Sequence, residues 1–207
     1  MLITKARWQA LCQYLKLRVD DQIYSELRDA YTEPQRAYHT LEHLSECLQH
    51  LDWVATQHIY STADLAQVEM VLWFHDAIYQ PQASDNEQQS AQWARRFLMH
   101  SAVGPELSNR VYGLIMATCH GAKTPSDPLA QLTVDIDLTI LGAAPERFKT
   151  YEQQVRYEYA WVPEALYHKK RNALLAAFLA QPQLYQTPLF YQRYEQQARH
   201  NLMRAIG

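Results

Sequence analysis

Glycine is scarce in this chain of 207 residues, which contains only 5 glycines beside 9 prolines. Scarce glycine, with plentiful leucine, alanine, glutamine and glutamate, argues against a β fold punctuated by glycine turns and favours an all-helical protein. No apolar run approaches the ~18 residues of a membrane-spanning helix. The N-terminal residues carry charges where a signal peptide would be continuously apolar. We therefore expect a cytoplasmic protein that does not bind a membrane.

Concentrated charge and paired cysteines are also lacking. The formal net charge is −3, and no long run of lysine or arginine supplies the basic surface that nucleic-acid polymers require. The cysteines, Cys12, Cys47 and Cys119, are widely separated and form no CxxC motif. We expect three buried free thiols in a reducing compartment, none of which takes part in a metal site.

Apolar residues recur at helical spacing along almost the whole chain. The pattern predicts helices over about 4–18, 21–31, 38–57, 64–79, 85–100, 105–120, 132–142, 145–160, 163–181 and 188–206, with a loop at 121–131. No repeat or change of composition marks a second domain. The sequence therefore predicts a single domain over 1–207, with a core at about 36–142 and C-terminal helices at 145–206 packed on it.

Four short segments place polar side chains in or beside apolar helices. They contain His39 and His43 in YHTLEHL, His75 and Asp76 in FHDAIY, His120 in TCHGAK, and Asp135 and Asp137 in DIDLTILG. Burying an ionised carboxylate in such a stretch is costly unless a cation pairs with it. Imidazole and carboxylate ligands from separate helices are typical of divalent metal sites. The residues alone leave open whether His39 and His43 are two ligands, a ligand and a proton donor, or ordinary residues of one helix.

The order His, His-Asp, Asp resembles the HD superfamily of metal-dependent phosphohydrolases. Similarity to a group of small bacterial proteins described as predicted HD phosphohydrolases runs through RAYHTLEHL, FHDAIY, DNEQQSA, DIDLTILG, VRYEYAWVP and YEQQARHNL. The resemblance implies an all-α HD-domain helical bundle with additional C-terminal helices. It also implies one or two divalent ions per chain (Mn, Fe, Ni, Co, Mg or Zn). The implied ligands are His43, His75, Asp76, Asp137 and, on a second ion, His120, with Asp135 as the alternative to Asp137.

The segment YHTLEH also resembles the YHNxxH segment of cyclic-nucleotide phosphodiesterases, which are relatives of the HD fold. That resemblance implies that His39 is the general acid that protonates the leaving oxygen, whereas His43 is a metal ligand. Thr40 stands where the phosphodiesterases have asparagine, and their nucleotide-gripping region is not recognisable. Cyclic nucleotides are therefore not implied as the substrate.

Other charged residues are candidates for supporting roles. Glu87 and Asp85, at the predicted start of a helix, could orient water or join the shell of a second ion. Guanidinium and ammonium groups bind phosphate. The candidate phosphate anchors are therefore Arg36, Lys123, Arg156 and Arg171. The expected partners are a small phosphorylated substrate, such as a nucleotide, and at most a second copy of the chain in a homodimer. Two alternatives stay open: a di-iron oxygenase that uses His120 and His39 as extra ligands, and a non-catalytic sensor that binds a nucleotide or a partner.

Overall fold

The computed structural model describes residues 2–101, 104–119 and 125–207, and this part of the chain is all-α, as predicted. Within these ranges there is no strand. The helices are α1 (Lys5–Tyr14), α2 (Asp21–Ala30), α3 (Leu41–Ala55), α4 (Thr62–Phe74), α5 (Asn86–His100), α6 (Pro105–Met116), α7 (Pro128–Asp137), α8 (Pro145–Glu158), α9 (Glu164–Leu179) and α10 (Pro188–Ile206), with a 3₁₀ helix at Leu138–Gly142. Over the same residues, no helix has both the length and the apolar character that crossing a bilayer demands.

Several predicted helix boundaries are wrong, among them the ends of α1, at Tyr14 instead of 18, and of α6, at Met116 instead of 120. The third helix begins at Leu41 instead of 38, and the fourth ends at Phe74 instead of 79. The predicted loop at 121–131 ends too late, because α7 already begins at Pro128. The Asp127 carboxylate accepts hydrogen bonds from the backbone N–H groups of Leu129 and Ala130, at 2.8 and 3.3 Å. An aspartate followed by proline is a common helix start; residues 121–124 of that loop lie outside the described residues.

The chain divides into two compact units, residues 1–133 and 134–207. The first unit has a core of aromatic and aliphatic side chains around α4. Trp73 and Phe74 of α4 are fully buried, and their rings contact Trp8 of α1. The last five residues of α4, 70–74, are all apolar and fully buried, so the C-terminal end of the helix lies in the interior. The histidine and aspartate that follow Phe74 are thereby brought into a largely buried environment.

The second unit contains the 3₁₀ helix and α8 to α10. Tyr185 and Phe190 are fully buried there, and the Tyr185 hydroxyl donates a hydrogen bond to the Leu138 carbonyl oxygen at 2.9 Å. Gly142 ends the 3₁₀ helix where α10 approaches closely. A Cβ atom at this position would lie 2.7 Å from the Cβ of Tyr194, so any larger residue would push α10 away. The prediction of a single domain over 1–207 stays a prediction.

Candidate metal centre

His43 lies in the first turn of α3, and its position follows from how that helix starts. Thr40 is the N-cap residue, and its hydroxyl accepts a hydrogen bond from the Glu42 N–H at 3.3 Å. The helix therefore begins at Leu41, and His39 lies in the turn before it. The expectation that His39 and His43 share a helix is wrong, because capping by Thr40 stops the helix from extending further back. His43 is buried, with 2% of its surface exposed.

His75 and Asp76 follow α4 because side chains replace the next helical hydrogen bond. The Leu72 carbonyl oxygen, which the Asp76 N–H would otherwise bind, faces His75 Nδ1 at 2.9 Å and the Tyr31 hydroxyl at 3.4 Å. The Asp76 N–H instead donates to the Tyr31 hydroxyl oxygen at 3.3 Å. A carbonyl oxygen only accepts, so Nδ1 of His75 must carry the proton. The lone pair of neutral His75 is therefore on Nε2, the arrangement usual for a metal-binding histidine.

Three potential ligand atoms converge at this point. His43 Nε2 lies 3.1 Å from His75 Nε2, and Asp76 Oδ2 lies 3.1 Å from His75 Nε2 and 3.4 Å from His43 Nε2. Ligands bound at about 2.0–2.2 Å are separated by about 3.0–3.5 Å in octahedral or tetrahedral shells. The three separations match that range. Two imidazole nitrogens and a carboxylate oxygen are also a suitable donor set for a divalent transition-metal ion.

His43, Cys47 and His75, all in the first unit, belong to a group of side chains that could hold a metal ion, with one ligand atom of each within 4.8 Å of the others. Cys47 is buried one turn after His43 on α3, and its Sγ lies 3.8 Å from both ring nitrogens of His43. Cys47, which the sequence analysis left outside the metal site, is therefore among the side chains that could hold an ion. The i, i+4 spacing of His43 and Cys47 on the buried face of one helix was the signal in the sequence.

Asp76 is held in its ionised form. Burial opposes ionisation, but in the metal-free protein the charge of a protonated His75 and hydrogen bonds from His43 and His75 outweigh it, with a further contribution from His39. The pKa of Asp76 consequently lies well below its usual range. A carboxylate that stays charged at this position is ready to neutralise a cation.

His39 lies beside the ligand histidines without belonging to the group of His43, Cys47 and His75. Its ring stacks on Tyr79 with the ring centroids 4.0 Å apart, and its centroid is 6.1 Å from that of His43. The ring of Tyr38 packs edge-on against it at 4.9 Å. The imidazole is thus fixed by aromatic contacts next to the proposed ligands.

Arg36 uses its guanidinium within the protein. Its side chain is fully buried and donates to the carbonyl oxygens of His39 at 3.1 Å, Asp76 at 2.6 Å and Ala77 at 3.0 Å. The remaining contacts are to the Glu33 carboxylate, at 3.1 Å from Nε and 3.0 Å from Nη2. Guanidinium has five N–H donors, and these contacts account for all five. The structure therefore places Arg36 in a scaffold and leaves it no donor for a phosphate.

Asp135 and Asp137 have different surroundings. One oxygen of the Asp135 carboxylate accepts from the Gln186 N–H at 2.8 Å, and the other accepts from the Thr187 N–H and hydroxyl, both at 2.7 Å. Asp135 is fully buried and caps the start of α10. The Asp135 carboxylate is therefore satisfied by donors of the second unit. The choice of Asp137 over Asp135 as a ligand stays a prediction.

Asp135 should make the stability of the second unit depend on pH. Burial, its largest influence, raises its pKa from 3.8 to about 6 against the opposing hydrogen bonds of Thr187 and Gln186. Below pH ~4, Asp135 therefore contributes about 3 kcal/mol to the free energy of unfolding. This contribution is lost as the pH rises through about 6. We expect Asp135→Asn to remove this part of the pH dependence and to lower stability by about 1–3 kcal/mol, because the new amide group faces N–H donors.

The measurement is urea unfolding between pH 4 and 8 in the presence of a chelator. The matched control is Asp29→Asn, the same change at an exposed aspartate of α2, measured over the same pH range. Identical pH dependence in wild type and Asp135→Asn would contradict the raised pKa.

The remaining predicted residues are dispersed. Glu87 lies in the first turn of α5, half-buried, and Asp85 is the N-cap residue without a capping hydrogen bond from its side chain. Arg156 donates to the carbonyl oxygens of Tyr159 at 2.7 Å and Val162 at 3.2 Å, so it closes the C-terminal end of α8. Arg171 pairs with Glu152. His120 and Lys123 lie outside the described residues.

Comparison with known proteins adds no assignment. No protein-family model, curated protein or solved structure matches the chain.

Proposed function

We propose that this chain is a metal-dependent phosphohydrolase of the HD superfamily that cleaves a small phosphoester, such as a nucleotide. The observation that carries the proposal is the convergence of His43 Nε2, His75 Nε2 and Asp76 Oδ2 at 3.1–3.4 Å from one another. Such a triangle of basic atoms in a buried place is unfavourable without a proton or cation between them. The reaction class comes from the sequence resemblance, which combines the same ligands with phosphoester hydrolysis.

His43, His75 and Asp76 would hold the ion, Cys47 adds a neighbouring sulfur atom, and the sequence resemblance implies Asp137 as a further ligand. When bound, a divalent cation supplies hydroxide near neutral pH and polarises a phosphoryl oxygen. The protein contributes a preset arrangement of ligands. His75 has its Nδ1 proton fixed by the Leu72 carbonyl oxygen at 2.9 Å, and Asp76 stays ionised. Little reorganisation is therefore needed when the ion enters.

His39 is the residue that we assign to proton transfer. Hydrolysis of an alkyl phosphoester leaves an alkoxide, which needs a proton as the bond to phosphorus breaks. Imidazole suits this role near neutral pH. The stack of His39 on Tyr79 keeps its ring beside the ligand histidines, at 6.1 Å from the His43 ring. In the proposed reaction, His39 donates its proton to the leaving oxygen and recovers one from solvent.

The test is a panel of phosphoesters assayed with Mn²⁺, Ni²⁺, Co²⁺, Mg²⁺ and Zn²⁺. We expect the wild type to hydrolyse at least one ester with at least one ion, and Asp76→Ala to lose more than roughly 100-fold of that activity, since it lacks a charged ligand. Asp29→Ala removes an exposed carboxylate of α2 and serves as the matched control. Full activity in Asp76→Ala would refute the proposed centre.

A further inference from the structure

Two short segments of the first unit are joined by side-chain hydrogen bonds to backbone carbonyl groups. We call them the entry turn, Glu33–His39, and the exit segment, His75–Tyr79. Arg36 donates from the entry turn to the carbonyl oxygens of Asp76 at 2.6 Å and Ala77 at 3.0 Å. The amide nitrogen of Gln35, the preceding residue, donates to the Tyr79 carbonyl oxygen at 3.2 Å. Three side-chain hydrogen bonds therefore hold the entry turn against the exit segment.

The same guanidinium also reaches back within the entry turn. It donates to the His39 carbonyl oxygen at 3.1 Å, so a single buried cation bonds the backbone of both His39 and Asp76. Glu33 neutralises that cation through two contacts of 3.0–3.1 Å. Hydrogen bonds that involve a charged group in a buried place are among the strongest in proteins. Arg36 consequently sets the distance between the backbones of the proposed proton donor and a proposed ligand.

Aromatic rings extend this link to the His39 side chain. The Arg36 guanidinium lies 5.3 Å from the ring centroid of Tyr31 and 5.5 Å from that of Tyr79. Tyr79 in turn stacks on the His39 imidazole at 4.0 Å and an interplanar angle of 25°. The backbone and the ring of His39 are thus both held, directly or through Tyr79, by the same arginine.

We propose that Arg36 is a positioning residue that aims His39 at the leaving oxygen, an inference that rests on the proposed phosphohydrolase function. It touches neither substrate nor ion in this role. A donor that is displaced by an ångström can lose roughly 100-fold of its effect. Loss of Arg36 should therefore damage proton donation even when the centre is saturated with ion.

The experiment compares Arg36→Met with Arg28→Met, which makes the same change at an exposed arginine of α2. Two esters are assayed, an alkyl phosphoester that needs a protonated leaving group and a nitrophenyl phosphoester that does not. We expect Arg36→Met to lose roughly 100-fold in kcat on the alkyl ester and less than about threefold on the nitrophenyl ester, both at an ion concentration that saturates the variant. Arg28→Met should match the wild type on both.

A second readout does not depend on activity. In metal-free protein, the ring protons of His39, identified by their loss in His39→Ala, should be shielded by the stacked Tyr79 ring. We expect Arg36→Met to move this resonance towards the position of the exposed His168, whereas Arg28→Met should leave it in place. Arg36→Lys keeps the charge but has fewer N–H donors, so it should shift the His39 resonance part of the way. It replaces Arg36→Met in this measurement if Arg36→Met does not fold.

The outcomes separate the two proposals. Equal losses on both esters, or an unmoved His39 resonance in Arg36→Met and Arg36→Lys, would overturn the positioning role and leave the hydrolase function standing. If the wild type hydrolyses no ester with any ion, the hydrolase function fails; a displaced His39 resonance would then still support the link between Arg36 and the His39 ring.

Discussion

His43→Ala should yield a folded protein that no longer retains a divalent ion. Its Nε2 is one of three atoms that converge at 3.1–3.4 Å, and alanine offers no atom that could bind the ion in its place. Changes to residues that hydrogen-bond a metal ligand lower metal affinity by roughly 10- to 100-fold. Loss of the ligand itself should therefore lower the affinity by more than roughly 100-fold. Phosphoester hydrolysis should fall with metal occupancy.

Elemental analysis after dialysis against the preferred ion, combined with titration calorimetry, measures this effect. His168→Ala is the matched control, because it removes a largely exposed imidazole from α9. Circular dichroism establishes that the variant keeps its helices. Wild-type metal content in His43→Ala would remove this residue from the centre.

His39→Ala should behave in the opposite way, keeping the ion and losing turnover. His39 lies outside the group of clustered ligand atoms, and its ring packs on Tyr79 instead. A general acid contributes roughly 10²- to 10⁴-fold, so we expect a loss of that size on an alkyl phosphoester. A nitrophenyl ester, whose leaving group is stable as an anion, should be hydrolysed at nearly the wild-type rate.

Added imidazole provides the control for this variant. The space left by the deleted ring lies between Tyr79 and Tyr38, and a free imidazole that enters it could restore proton donation. Rescue of the alkyl ester, with no effect on the nitrophenyl ester, would support the role in proton transfer. Loss of metal from His39→Ala would instead make this histidine a ligand, as one of the sequence interpretations allows.

The helical nature of the chain could be predicted well, whereas helix ends could not. Apolar periodicity reports which face of a helix is buried, so it locates α4 and α10 reliably. It does not show that the His75 ring and the Tyr31 hydroxyl bind the Leu72 carbonyl oxygen, and these contacts end α4. That end depends on the Tyr31 hydroxyl, which lies 41 residues from Leu72 in sequence. A contact between such distant residues leaves no trace in the local pattern.

The candidate site shows the same division between local and distant information. His43, His75 and Asp76 could be selected from the sequence because charged and basic groups in apolar surroundings require a partner. The scaffold role of Arg36 could not, because its acceptors are backbone carbonyl groups, which every residue carries. An arginine that binds phosphate and one that holds a turn look alike in a sequence. Cys47 is a different case. Its spacing from His43 is visible in the sequence, but the wide separation of the three cysteines and the lack of a CxxC motif pointed away from a metal site.

The fixed tautomer of His75 links the folding of the first unit to ion supply. Since Nδ1 donates to the Leu72 carbonyl oxygen, the two facing Nε2 atoms at 3.1 Å need a shared proton when no cation is present. An ion that binds only the folded form would stabilise it by about 2.7 kcal/mol at a free concentration 100 times its dissociation constant. Depletion of that ion inside a cell would then increase the unfolded fraction of the protein, so its abundance would follow the available metal.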